Sequence, residues 1–206
     1  MNYVSIWIQG SWKWTQARLL ADKYGFKLFE SWTALREIAK EDSELWRNVK
    51  DTIEAWNHVS PKVIEDIMLD ILENKSDWNN VIFDWFVRNI GNKETADNVL
   101  WDYTVLLFEL SKEKSIARLL WRMYNPKTGE TFPSWTEIDP KTGDTLEKRA
   151  DDNEEAIMKR INLYTDLALP LVEWYEKQWN LIEINADQPI EDVFSELEEK
   201  LALGQD

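Results

Sequence analysis

Residues 4–16 read V-S-I-W-I-Q-G-S-W-K-W-T-Q, a short apolar stretch followed by a loop with one glycine, one lysine and one threonine. Exchanging Trp7, Trp12 and Trp14 for glycine gives G-x-x-G-S-G-K-G-T, the pattern of a phosphate-binding loop. Such a loop binds phosphate through its backbone N–H groups, and glycine lets the backbone approach the anion closely. The stretch therefore predicts a buried strand, a phosphate loop and a helix.

Tryptophan is abundant in this chain and glycine is scarce. The 206 residues include 13 tryptophans and 6 glycines, whereas an average chain of this length carries about 14 glycines. Trp174, in V-E-W-Y-E, is expected to be an aromatic residue on a helix. We hypothesise that the other tryptophans stand for glycine, through one codon that means glycine in the source and was read as tryptophan; the alternative is a divergent, tryptophan-rich chain. Five of these residues lie in turn-like or helix-end contexts: Trp46, Trp78, Trp101, Trp135 and Trp179. The other seven are Trp7, Trp12, Trp14, Trp32, Trp56, Trp85 and Trp121.

The composition excludes several classes of function. A net charge of −15 argues against nonspecific binding to nucleic acids and to anionic membranes. The absence of cysteine rules out disulfides and thiolate metal sites, and a single histidine, His58, cannot build a metal site alone. No apolar run approaches the roughly 20 residues that span a bilayer. We therefore expect a cytoplasmic protein with no membrane or nucleic-acid partner.

Strand-like and helix-like segments alternate along the chain. This alternation predicts the α/β class, with a doubly wound parallel sheet in a three-layer α/β/α arrangement. Strands are expected at residues 4–8, 27–29, 81–84, 103–110 and 181–185. Helices are expected at residues 15–24, with Gly25 as C-cap, and at 33–40, 43–55, 61–73, 112–123, 150–167, 171–178 and 190–201.

Residues 124–148 differ in character from the rest. They contain two near-identical turn signals, N-P-K-T-G at 125–129 and D-P-K-T-G at 139–143, with short polar strands between them. The pattern predicts a small hairpin insertion with little core of its own. Because arginines stand at both of its edges, we expect it to be a functional lid.

The ordered set G-S-W-K-W-T-Q-A, F-D-W-F-V-R, I-A-R-L-L-W-R and R-A-D-D-N-E-E-A resembles the adenylate kinases, and the resemblance extends over residues 4–201. It implies one P-loop kinase domain over residues 1–206, with a subdomain that binds the nucleoside monophosphate (NMP) at 30–59, a lid at 123–150 and a core formed by the remainder. It also implies reversible, Mg²⁺-dependent phosphoryl transfer from ATP to AMP, giving two ADP for nucleotide homeostasis, by a monomer. The alternatives are a UMP/CMP-type nucleoside monophosphate kinase and, if the tryptophans are genuine, a catalytically inactive binding protein with the kinase fold.

The resemblance also assigns roles to individual residues. Phosphoryl transfer needs positioning and charge neutralisation, which lysine provides as a mobile charge and arginine through paired hydrogen bonds. The catalytic residues implied are Lys13, Arg88, Arg122, Arg149 and Arg160. The ATP site would include Gly10, Ser11, Trp12, Lys13, Trp14, Thr15, Arg118 and Arg122, and the AMP site Ser31, Arg36, Val59, Trp85, Arg88 and Asn92.

Two carboxylates and the metals complete these expectations. Asp84, at the end of a predicted strand, would hold Mg²⁺ through water. Asp151 and Asp152 would anchor the lid hinge through pairs with arginine. Because the insertion lacks the four zinc cysteines of some relatives, we expect no zinc.

Overall fold

The computed structural model describes residues 1–30, 69, 79–84, 87, 90–100, 102–149, 152–178 and 180–204. The helices predicted at 33–40 and 43–55 lie outside these residues, and of the helix predicted at 61–73 only residue 69, which is helical, is described. The described elements, in chain order, are β1 (Asn2–Trp7), α1 (Lys13–Tyr24), β2 (Lys27–Glu30), β3 (Val81–Asp84), α2 (Ile90–Val99), β4 (Tyr103–Glu109), α3 (Lys112–Trp121), β5 (Met123–Tyr124), β6 (Thr131–Phe132), α4 (Glu154–Lys177), β7 (Leu181–Asn185) and α5 (Ile190–Lys200).

The main sheet is parallel and has the strand order β2-β3-β1-β4-β7. β1 lies at its centre and pairs with β3 on one side and β4 on the other. The chain builds the sheet on the β3 side first and then crosses to the β4 side. The C-terminal end of β1 is therefore a switch point, where ligands bind in sheets of this kind. The predicted doubly wound parallel sheet is confirmed.

Helices cover both faces of this sheet. Val4 and Ile6 of β1 belong to one apolar core, which includes Leu171 of α4 and Ala96 of α2. Tyr3, one residue out of phase with them, belongs to a second core. That second core is completed by Leu20 of α1 together with Val193 and Leu197 of α5. Successive side chains of a strand point to opposite faces, so the two cores give the three layers that the sequence predicts.

Helices differ more from the sequence predictions than strands do. Residues 154–177 form one helix, whereas the sequence predicts two helices separated near Pro170, and that break is wrong. A proline inside a helix costs about 3 kcal/mol of stability. Here Ala168 and Leu171, on either side of Pro170, are both buried in the core, and their packing holds the helix in place.

α2 was not predicted. α1 begins at Lys13 rather than at residue 15, and Gly25 ends it with φ +71°, as predicted. None of the helices within the described ranges has the length and apolar character needed to cross a bilayer.

The insertion has a small internal core of both apolar and polar side chains, in which Phe132 and Leu146 are buried together with Asn125 and Asp139. β5 pairs antiparallel with β6, and the two P-K-T-G turns lie side by side. Asn125, the first residue of one turn, donates from Nδ2 to Oδ2 of Asp139, the first residue of the other, at 2.8 Å. Both side chains are buried. The expectation of little core must be corrected, because the repeated turn motif joins to itself through this pair.

Each turn is also closed by its own first side chain. Asn125 accepts a hydrogen bond from the N–H of Lys127 at 2.9 Å. Asp139 accepts from the N–H groups of Lys141 at 2.8 Å and Thr142 at 3.2 Å. The hydrogen bond from Asn125, followed by these two N–H groups, holds the pKa of Asp139 below its ordinary value, although burial opposes the shift.

We predict that this part of the insertion is sensitive to acid. Because the pKa of Asp139 is lower in the folded turn than in the unfolded chain, the ionised carboxylate stabilises the turn at pH values above the unfolded pKa, about 3.9. This stabilisation is lost as the pH falls through the folded pKa. The NMR shifts of the Lys141 and Thr142 amides should therefore titrate with a midpoint below the ordinary aspartate value. Asn125→Ala removes the hydrogen bond that lowers the pKa of Asp139 most, so it should raise that midpoint.

Lys127→Ala is the control. The hydrogen bond from Lys127 contributes most to the lowered pKa of Asp144, and Lys127 does not contribute to the lowered pKa of Asp139. This substitution should leave the midpoint at Lys141 and Thr142 unchanged. A midpoint at or above the ordinary aspartate value in the unaltered protein would contradict the proposed closure of the turn by Asp139.

Candidate active site

Asp84 and Lys13 meet at the C-terminal edge of the sheet. Asp84 is the last residue of β3 and Lys13 is the first residue of α1, so the parallel sheet and the loop after β1 bring them together. The Lys13 ammonium donates to both carboxylate oxygens of Asp84, and both residues are buried. Ser5, opposite Asp84 in the β1–β3 register, donates from Oγ to Oδ1 of Asp84 at 3.1 Å. The sequence signal for Ser5 was a single polar residue in an otherwise apolar strand.

Two indole rings lie against this ion pair. Nε1 of Trp7 donates to Oδ1 of Asp84 at 3.1 Å, and the centroid of the Trp7 ring lies 3.4 Å from Nζ of Lys13. The centroid of the Trp14 ring lies 5.5 Å from the same Nζ. The ammonium therefore has a carboxylate and the rings of Trp7 and Trp14 as neighbours.

The loop between β1 and α1 contains two left-handed residues. Gly10 has φ +86° and Trp12 has φ +60°. A left-handed conformation costs a residue with a side chain about 1–2 kcal/mol, and glycine avoids that cost. Between these residues the hydroxyl of Ser11 is buried and makes no hydrogen bond within the part of the chain that the structure describes. The loop thus has left-handed backbone at two positions, a conformation that glycine adopts without strain, although tryptophan occupies position 12.

Arg118 on α3 is anchored to the protein backbone. Its Nη1 donates to the carbonyl oxygens of Gly10 at 3.0 Å and Ala186 at 2.9 Å. Its Cζ lies 5.3 Å from the centroid of the Trp12 ring. Burial lowers the pKa of Arg118 from its ordinary value, and the nearby charge of Asp187 opposes this shift. A guanidinium stays charged at neutral pH, so Arg118 places a cation beside the loop.

Two further arginines, Arg122 and Arg160, lie where the insertion joins α4. Arg122 donates from Nε and Nη2 to the two oxygens of Asp152, at 2.5 and 2.9 Å. Arg160 donates from Nη2 to Asp152 at 2.7 Å. The predicted pairing of Asp152 with arginine is confirmed, while Asp151 lies outside the described residues. The backbone carbonyl of Arg149 accepts a hydrogen bond from the N–H of Asp152 at 3.1 Å, and Cζ of Arg149 lies 5.9 Å from the Tyr124 ring centroid.

The structure describes the expected ATP side far more fully than the AMP side. Thr15 lies half-buried in the first turn of α1, and Asn92 is buried on α2. The other AMP-site candidates, Ser31, Arg36, Val59, Trp85 and Arg88, lie outside the described residues. One contact that the sequence did not predict is the ion pair between Arg18 of α1 and Glu130 of the insertion, at 2.6 Å, which joins the insertion to the core.

Comparison with known proteins agrees with this geometry. The family model for adenylate kinase matches residues 8–180. An adenylate kinase 2 of Schistosoma mansoni is 30% identical over 97% of this chain and 88% of its own length. An adenylate kinase of Clostridioides difficile is 27% identical over 99% of this chain and 100% of its own length, and one of Alkaliphilus oremlandii is 29% identical over 100% of both. With Lys13 and Asp84 at the switch point of a parallel sheet, these matches show that the chain belongs to the adenylate kinase family.

Proposed function

We propose that this protein transfers the terminal phosphoryl group of ATP to AMP, reversibly, to give two molecules of ADP. The observation that carries the proposal is the meeting of Lys13 with Asp84, beside the loop between β1 and α1, at the switch point of the sheet. A phosphate oxygen of AMP bonds to the γ-phosphorus of ATP, and the bond from that phosphorus to the departing ADP breaks. The protein's main task is to position both nucleotides and neutralise their charge.

Lys13 supplies the mobile cation. Its long, flexible side chain lets the ammonium move from Asp84 to oxygens of the β- and γ-phosphates. Thr15 lies in the first turn of the same helix, where unpaired N–H groups and the helix dipole favour an anion. Lys13 and the start of α1 therefore form the phosphate site in this proposal.

Asp84 fits a magnesium ion that arrives with the nucleotide. Mg²⁺ prefers oxygen ligands and is commonly held by one or two carboxylates together with substrate phosphates. Within the described ranges there is no cluster of three or more acidic, histidine or cysteine residues that would form a separate cage. Asp84 would hold the ion through water, and when bound the ion would neutralise charge on the phosphates.

The arginines at the insertion would act on the transferring group. Arg122 and Arg160 share the carboxylate of Asp152, and anionic phosphates offer both a competing partner. We assign Arg122, Arg149 and Arg160 to the transferring phosphoryl group, and residues 123–150 to a lid that excludes water from it.

On the other side of the phosphoryl group, we assign residues 30–59 to NMP binding and Arg36 and Arg88 to the AMP phosphate. The net charge of −15 is consistent with a cytoplasmic enzyme that binds neither nucleic acid nor anionic membranes. We propose that it acts as a monomer.

We further propose that the functional enzyme has glycine at positions 7, 12 and 14. The Trp7 and Trp14 rings border the ammonium that has to reach the phosphates. Trp12 has the left-handed backbone that glycine adopts without strain. The same substitution is proposed at positions 32, 85 and 121. The protein with glycine at all six positions is called the glycine-restored protein below.

We predict that the chain with tryptophan at these positions shows little ATP–AMP phosphotransfer and that the glycine-restored protein shows robust turnover. Turnover is measured as ADP formation from ATP and AMP. The control is Trp174→Gly, because Trp174 makes packed contacts with Tyr175, at 5.2 Å between ring centroids, and with Lys93. This change should destabilise the protein without restoring activity. Robust turnover by the unaltered chain would contradict the glycine requirement, and an inactive but folded glycine-restored protein would contradict the proposed function.

In the glycine-restored protein, Lys13→Ala should lower kcat about 10²–10³-fold, as the loss of one preorganised donor to developing charge does in other enzymes. Lys23→Ala is a matched control, because Lys23 lies near the other end of α1 and pairs with Glu198. It should leave kcat within about twofold, an amount below 0.5 kcal/mol of activation free energy. Equal effects of the two changes would contradict the role of Lys13.

A further inference from the structure

Helix α3 holds two consecutive carbonyl groups of the phosphate loop. Ser115 donates from Oγ to the carbonyl oxygen of Gln9 at 2.6 Å. Arg118, three residues later on the same helix face, donates to the carbonyl oxygen of Gly10 at 3.0 Å. Ser115 is fully buried. The family resemblance gives Ser115 no role, and in the sequence it stands only as a polar residue in a helix.

These two hydrogen bonds determine where the next N–H groups point. In a trans peptide the C=O and N–H groups point in opposite directions, and the chain contains no cis peptide in its described part. With the carbonyls of Gln9 and Gly10 directed at α3, the N–H groups of Gly10 and Ser11 point away from that helix. Successive N–H groups on one side of a turn form an anion-binding nest. Neither N–H makes a backbone hydrogen bond within the described residues.

The helix and the loop are in direct contact at Gly10. A Cβ atom at this position would lie 3.4 Å from the carbonyl oxygen of Ser115 and 3.5 Å from Cβ of Arg118. These separations are van der Waals contacts, and it is the φ of +86° at position 10 that favours glycine there. Because all of these contacts lie within the protein, they hold the loop in shape without a ligand.

We propose that Ser115 is a positioning residue for the ATP phosphates: it fixes the Gln9 carbonyl so that the loop's N–H groups are arranged for phosphate before the nucleotide arrives. The proposal rests on the proposed function of the loop as the phosphate site. Ser115 itself does not touch the nucleotide. Its contribution is the preorganisation of the backbone, which lowers the entropy lost on binding.

The first test needs no ligand and uses the unaltered chain. NMR order parameters of the Gly10 and Ser11 amides should be near 0.85, the value of a rigid backbone, and should fall below about 0.6 in Ser115→Ala. Ser115→Cys should give a similar fall, because a thiol fills the space but donates weakly. Ser195→Ala is the matched control, since Ser195 donates to the Glu191 carbonyl on the distant helix α5. It should change neither amide. Unchanged order at Gly10 and Ser11 in Ser115→Ala would overturn the proposal.

The second test uses the glycine-restored protein with ATP. Ser115→Ala should weaken ATP binding and raise the KM for ATP about fivefold, which corresponds to about 1 kcal/mol, while the KM for AMP and kcat stay within about twofold. A purely structural loss would change both KM values or kcat. An equal rise in both KM values, or no rise for ATP, would overturn the proposal. If the glycine-restored protein binds no ATP, the proposed function fails, and the positioning of the loop is then decided by the order parameters alone.

Discussion

The site depends on the ion pair between Lys13 and Asp84. Their side chains are only 9% and 12% exposed, so both charges are largely withdrawn from water. Removing one partner of a buried pair typically costs 3–5 kcal/mol, because the other charge is left uncompensated. This pair requires β3 to lie beside β1 and α1 to begin at Lys13, and Ser5 adds a donor to the carboxylate. The order of the strands thus brings Lys13 and Asp84 together, and their ion pair restricts the conformation of the loop after β1.

Hydrogen bonds to backbone and carboxylate groups also hold the other residues of the proposed ATP site. Arg118 joins the phosphate loop to the end of β7 through two carbonyls, and Ser115 holds a third. Asp152 gathers Arg122 and Arg160 at the junction of insertion and core. In the absence of nucleotide these cations are satisfied by the protein itself. Bound phosphates would compete for Lys13, Arg122 and Arg160, which is how ligand binding can favour a second arrangement of the same residues.

The strands and the parallel sheet could be predicted because apolar runs, turn residues and alternation are local signals. The sequence placed Lys13 in the loop after β1 and Asp84 at the end of β3, but their meeting depends on the pairing of these two strands, which no local pattern displays. The helix prediction was wrong at Pro170, because packing on both sides of this residue outweighs the local cost of a proline inside a helix. The contacts of Ser115 with Gln9 and of Asn125 with Asp139 could not be predicted. They depend on tertiary approach, and in the sequence each is only a polar residue in a helix or turn.

The tryptophans bear on the central claim, that this chain is a phosphotransferase whose loop needs glycine. The left-handed backbone at Trp12 agrees with glycine at that position, and Trp174, although 37% exposed, has its ring against Tyr175 and Lys93 on the helix. The most direct measurement is the mass of the tryptic peptide of residues 1–13, taken from protein purified from its native source. We expect glycine at positions 7 and 12. A mass that requires tryptophan at both would contradict the claim and would favour an inactive kinase-fold binding protein.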